Sequence, residues 1–193
     1  MTIAEIHITA ARDLLDMVAS IKPAAVLSIE HPDATGDGRA PRLFAEHGLD
    51  GIAQLVQTYW DTEEEHPQGP SAALVAEGLA FLQHHAASGP VLVHCRQGKA
   101  RSTGMALAFM AASSPAHTAA DYIAYLKKIR PQAAPNILVV RHADTVLNTG
   151  GALEAAVLAD PDLTAKRAQA NASRARDAEK NPHRIKPLPR QTL

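Results

Sequence analysis

The sequence predicts an α/β fold, with a small parallel-rich central sheet flanked by helices. Three observations lead there. Short apolar runs of strand length alternate with longer stretches whose apolar residues recur at helical spacing. Proline and glycine breaks separate them. The later part of the chain is helical in pattern.

Taken in order, Ile3, Ile6 and Ile8 open a short strand-like pattern. Residues 10–21 read as a helix with Leu14, Leu15, Val18 and Ile21 on one face, stopped by Pro23. Residues 24–29 are apolar apart from Ser28, as in a strand buried on both faces. Residues 31–42 hold Pro32, Gly36, Gly38 and Pro41 and read as a loop that can border a site. A third strand is expected at 55–59, then an acidic, turn-rich stretch at 61–70. Residues 71–87 read as a helix with Leu74, Gly78 and Leu82 on a stripe, broken by Gly89-Pro90. Residues 91–94 form a short buried strand, and 103–112 an apolar helix after a turn at 98–101. Further helices are expected at 118–129, ended by Arg130-Pro131, and at 136–147, closed by Gly150-Gly151. Residues 165–179 suit a polar helix, and 181–193, with three prolines, a flexible end.

Composition narrows the function. A chain of 193 residues suits one domain with a tail, and 46% hydrophobic residues exclude general disorder. Aromatics at 4% argue against a stacking surface for single-stranded nucleic acid. No apolar run approaches the ~18 residues of a membrane span, and the first residues lack a signal-peptide pattern. Cys95 is the single cysteine, which excludes an internal disulfide and makes a reducing, cytoplasmic location the default. Charge divides the chain: residues 1–160 carry 11 Lys and Arg against 17 Asp and Glu, and residues 161–193 carry 8 against 3. An acidic body, 1–160, is thus joined to a basic, partly flexible tail, 161–193, and no nucleic acid is expected on the body. The tail reads first as a solubilising end. Contact with an anionic partner or membrane surface stays open beside that reading.

The chemistry concentrates in His94-Cys95-Arg96-Gln97-Gly98-Lys99-Ala100-Arg101-Ser102. Cys95 ends a strand, where open α/β sheets place ligands. Gly98 permits a sharp turn, after which successive amides form an anion nest at a helix start. The phosphate-binding set is Arg96, Gln97, Gly98, Lys99, Ala100 and Arg101. Arg101, six positions after Cys95, returns over the loop with a fork that matches two phosphate oxygens. The same field favours a Cys95 thiolate, an in-line nucleophile able to form a phosphocysteine that water then hydrolyses. Ser102 can hydrogen-bond the sulfur, and His94 orders the loop. Cys-x5-Arg alone is a weak signal. Placed between an apolar strand and an apolar helix, with His before it and Ser after, it is much stronger.

This loop resembles the signature of the protein tyrosine phosphatase superfamily, in its small dual-specificity-like branch, which includes bacterial tyrosine-phosphatase-like proteins. The stretch from Arg130 through Pro131, Gln132 and Pro135 to Asn136, then His142, Asp144 and Gly150-Gly151, is similar to the segment after the loop in bacterial members. The likeness covers about residues 24–158 and leaves the tail outside it. Ala100 departs from it, since many relatives carry Ser there. The resemblance implies a protein-tyrosine-phosphatase-like fold, hydrolysis of phosphate monoesters on phosphoproteins, and no cofactor. It also implies an aspartate general acid roughly thirty residues upstream. Asp61, after Tyr59-Trp60, fits that place, with Glu63, Glu64 and Glu65 as competitors. Arg96 and Lys99 resemble the extra basic positions of phosphoinositide phosphatases of the tensin-homologue type, which keeps phosphoinositides and inositol phosphates open as substrates. Their alternative is solvent exposure or pairing with residues 61–65. Arg39 and Arg42 are weaker candidates for further phosphate contacts. A sulfurtransferase of the rhodanese kind, an arsenate reductase or a phosphate-binding pseudophosphatase that docks a partner are the other classes. Lack of a resolving cysteine disfavours arsenate reduction. His84-His85 and the pair His142 and Asp144 lack partners at ligand spacing, so no metal is expected.

Overall fold

In the computed structural model the chain is described for residues 3–34 and 39–180. Four strands form one parallel sheet: β1 (Ile6–Ala10), β2 (Ala25–Glu30), β3 (Ala53–Thr58) and β4 (Val91–Cys95), in the order β1-β4-β2-β3. The chain returns after β3 to insert β4 between β1 and β2. All residues of β2 and β4 are buried, the polar Ser28, Glu30 and His94 included, as fits strands covered on both faces.

The period-two alternation of these central strands feeds two cores. Leu27, Ile29, Val91, Val93 and Cys95 point into the larger one, with Met105, Phe109, Leu126, Val139 and Val140. Val26 and Leu92 face the other way, against Leu14, Val18 and Leu43. Helices α1 (Leu14–Ile21) and α2 (Leu43–His47) therefore cover one face. On the other lie α3 (Ala72–Ala86), α4 (Arg101–Ser113), α5 (Ala119–Ile129), α6 (Ile137–Leu147) and α7 (Ala152–Ala159). A last helix, α8 (Pro161–Lys180), packs against α7.

Local signals set the boundaries. Ser71 caps α3 by accepting from the Leu74 amide, and Thr118 forms a reciprocal capping box with Asp121 on α5. Asn136 caps α6 through the Val139 amide. The first expected helix begins as a single 3-10 turn at Ala11–Asp13, and the third strand lies at Ala53–Thr58, two residues earlier than the apolar pattern placed it. Two short helices, α2 and α7, had no sequence signal of their own. Asp144 explains the second: its buried carboxylate accepts from the Leu153 and Glu154 amides, starting α7 after the Gly150-Gly151 turn. The tail helix starts at Pro161 and runs to Lys180, with Leu163 fully buried. The flexible end expected at 181–193, like residues 35–38 of the early loop, lies outside the described residues. Among those described, no helix is long and apolar enough to cross a membrane.

Candidate active site

Cys95 sits at the carboxyl end of β4, a central strand, and is 3% exposed. The five residues after it turn the chain into α4. Each of their carbonyls is tied to a neighbouring element. Ala11 N donates to Arg96 O, Arg130 donates to Gln97 O and Gly98 O, Ala134 N to Lys99 O, and Asn136 N to Ala100 O. The Thr103 hydroxyl also donates to Lys99 O and Ala100 O. In a trans peptide the next amide points opposite to the carbonyl, and no peptide here is cis. Tying the carbonyls outward therefore turns the amides of residues 97–101 inward, as an anion nest. Gly98 makes the bend at φ +63°. A Cβ there would collide with Thr9 O.

Arg101 is buried at 3% exposure. Its Nη1 donates to Glu30 O at 2.8 Å and to Tyr59 O at 2.6 Å. Those carbonyls end β2 and follow β3, so the sheet itself orients the guanidinium. The buried Nε has no acceptor among the described residues, leaving one edge of the fork to meet two oxygens of a tetrahedral anion.

Burial alone raises the pKa of the Cys95 thiol. The charge of Arg101 and hydrogen bonds from the Ser102 hydroxyl and amide outweigh it and leave the pKa lowered, against a small opposing effect of Asp61. The Ser102 hydroxyl lies 3.2 Å from the sulfur. His94 points to the other face of β4, where its Nε2 is 2.8 Å from Ser28 Oγ. Ser28 in turn accepts from Gln54. Burial pushes His94 down to about 4, so the imidazole is neutral at physiological pH.

The acidic stretch separates into distinct roles. Trp60 folds it: its amide donates to Gln68 O, and its ring stacks on His66 at 4.3 Å. Asp61 Oδ1 accepts from Asn136 Nδ2 at 2.8 Å, and Oδ2 pairs with Arg174 of α8 at 3.2 Å. Its field reaches both Cys95 and Tyr59. Glu63 is held by Arg167 and Asn171 and by the Ile137 amide. Glu64 and Glu65 are exposed, and Glu65 lies 3.8 Å from His142.

Arg96, Gln97 and Lys99 are exposed, and the side chains of Arg96 and Lys99 meet no partner among the described residues. They do not pair with residues 61–65. Arg39 pairs with Glu46 and Arg42 with Glu30. No group of three metal-ligating side chains occurs among the described residues. Sequence reasoning missed Arg130 and Asn136 as parts of the site. Both lay in the recognised stretch 130–136. The arginine read only as a helix end and the asparagine only as a helix start.

No protein-family model and no curated protein matches this chain. Solved structures do. Human DUSP28 superposes with a TM-score of 0.57 at 19% identity, over 77% of this chain and 95% of that one. A mouse putative dual specificity phosphatase complexed with zinc tungstate gives 0.55 at 18%, over 74% and 82%. PTPMT1 in complex with PI(5)P gives 0.52 at 18%, over 76% and 91%. At such identities the likeness is one of fold, and the chain has the protein tyrosine phosphatase fold in its small dual-specificity-like form.

Proposed function

We propose that this protein is a cysteine-dependent phosphatase that hydrolyses phosphate monoesters on phosphoproteins, phosphotyrosine among them. The observation that carries the reading is the loop of residues 95–102, where a sulfur with a lowered pKa lies beneath inward-turned amides and a buried arginine with a free edge. The nest and Arg101 hold three non-bridging oxygens, and their charge stabilises the transition state more than the ground state. The Cys95 thiolate attacks phosphorus, forming the S–P bond as the P–O bond to the leaving group breaks. Asp61 gives its proton to the departing oxygen. Water then attacks the phosphocysteine, Asp61 takes back a proton, and the S–P bond breaks to release inorganic phosphate. The Ser102 hydroxyl hydrogen-bonds the returning thiolate.

A second reading has one observation in its favour. Arg96 and Lys99 stand exposed beside the nest, without a partner among the described residues, where the extra phosphates of an inositol phosphate or phosphoinositide meet them. The likeness to PTPMT1, whose structure holds PI(5)P, supports keeping that class in the test. Hydrolysis of an aryl phosphate, phosphopeptides, inositol phosphates and phosphoinositides by wild type, Cys95→Ser and Arg96→Ala/Lys99→Ala decides between them. Cys95→Ser is expected to lose at least a thousandfold. Full activity in that variant would sink the mechanism. Binding of phosphate by wild type without turnover of any substrate would assign the protein to the phosphate-binding modules. Loss confined to inositol substrates in the double variant would favour the second reading.

A further inference from the structure

Helix α8 carries Leu163, Arg167, Asn171 and Arg174 at intervals of four, four and three, a single stripe of a helix. The stripe lies against the acidic stretch. Leu163 is fully buried at its base. Arg167 grips Glu63 through Nη2 at 3.0 Å and Nε at 3.3 Å, with both side chains largely buried. Asn171 Nδ2 adds a bond to the same carboxylate at 2.8 Å. So anchored, the helix delivers Arg174 to Asp61, with Nη1 3.2 Å from Oδ2. Arg174 is itself steadied by Asn171 and by Glu63 at 3.5 Å.

Both oxygens of Asp61 thus meet donors, and the two donors differ in what they permit. A carboxylic acid that protonates a leaving oxygen carries its hydrogen on one oxygen and keeps a carbonyl at the other. Asn136 suits that state, because the carbonyl at Oδ1 still accepts from its amide. Arg174 suits it less, because a guanidinium only donates and its charge is best met by a carboxylate oxygen. An O–H at Oδ2 would have to turn away from Arg174 and would leave the guanidinium facing a neutral acid.

We infer that Arg174 is a latch on the general acid: α8 engages Oδ2 of Asp61 in a contact that suits a carboxylate, and the acid acts once Arg174 leaves Oδ2. The inference rests on the reading of Asp61 as the acid in the phosphatase proposed above. It makes Arg174 a positioning residue, which touches no reacting atom and works through Asp61.

The test compares kcat/KM of the full chain on two substrates. Phenyl phosphate has a basic leaving group that needs the acid. A nitrophenyl phosphate has an acidic one that needs it far less. Arg174→Ala is expected to raise kcat/KM on phenyl phosphate about two- to fivefold, the factor an ion pair of ordinary strength controls, and to leave the nitrophenyl ester nearly unchanged. Arg174→Gln, which keeps most of the stem, moves the same way. Asp61→Asn is expected to slow phenyl phosphate selectively and to abolish the gain from Arg174→Ala. If Asp61→Asn slows phenyl phosphate but Arg174→Ala and Arg174→Gln bring no gain or a loss, the latch is overturned and the phosphatase reading stands. If Asp61→Asn leaves both substrates unchanged, the acid assignment falls and the latch with it.

Discussion

His94 and Cys95 are neighbours that point to opposite faces of one strand, and their chemistries diverge accordingly. Cys95 is buried among groups that favour its charged form, and His94 among groups that do not repay charging it. This gives a prediction for stability. With a folded-state pKa of about 4 against about 6.5 in the unfolded chain, protonation favours unfolding. The neutral imidazole's contribution is fully present above about pH 6.5 and is lost as pH falls toward 4, by up to about 3 kcal/mol. Denaturant unfolding between pH 7 and 4 is expected to show a shallower fall in His94→Gln than in wild type. Equal slopes would place the acid sensitivity elsewhere. That His94 and Cys95 face opposite sides was legible from the alternation of a strand. The partner of His94, Ser28 on β2, was not, because strand pairing brings together residues 66 positions apart.

Among elements, the turn from β4 into α4 is the most constrained. Gly98 has a positive φ, and its Cα faces Thr9 O and the Arg130 guanidinium. Gly98→Ala is expected to cost about 1–3 kcal/mol in stability and at least tenfold in kcat/KM, since a Cβ 2.5 Å from Arg130 Nη2 displaces the cation that holds two loop carbonyls. Calorimetry and steady-state rates on the same preparation check both. The turn, its glycine and the helix after it were readable because their signals are local. So were the helix starts near Ser71, Thr118 and Asn136. The second job of Asn136, its hydrogen bond to Asp61, was hidden because it depends on α6 starting beside a loop 75 residues away in sequence. The helix α7 was hidden for a related reason, since its N-terminal amides are satisfied by Asp144 of the preceding helix and not by a residue of its own.

At the scale of the molecule, the sheet order brings the ends of β4, β2 and β3 together at one edge, and α8 closes the arrangement from the far end of the chain. Alternating strand and helix patterns made the parallel sheet predictable. The division at residue 160 followed charge, and charge misses that Leu163 is fully buried and Arg167 nearly so. Leu163→Ala is expected to destabilise the protein by about 2–5 kcal/mol, a fall in Tm of about 2–4 °C for each kcal/mol. A Tm within a degree of wild type would show that α8 is not held by this contact. The basic tail read as a solubilising end, yet Arg167 and Arg174 pair with Glu63 and Asp61. The anchorage of Arg101 reaches further than the site. This side chain is gripped by the main-chain carbonyls of positions 30 and 59, and a main-chain carbonyl is the same whatever side chain it carries. Substitutions at those two positions that preserve the backbone leave the guanidinium where it is, whereas a one-residue slip of β2 or β3 would take a carbonyl away. The arginine at the heart of the site therefore answers to strand register, and mispaired sheets would be silent toward phosphate even with every side chain of the loop intact.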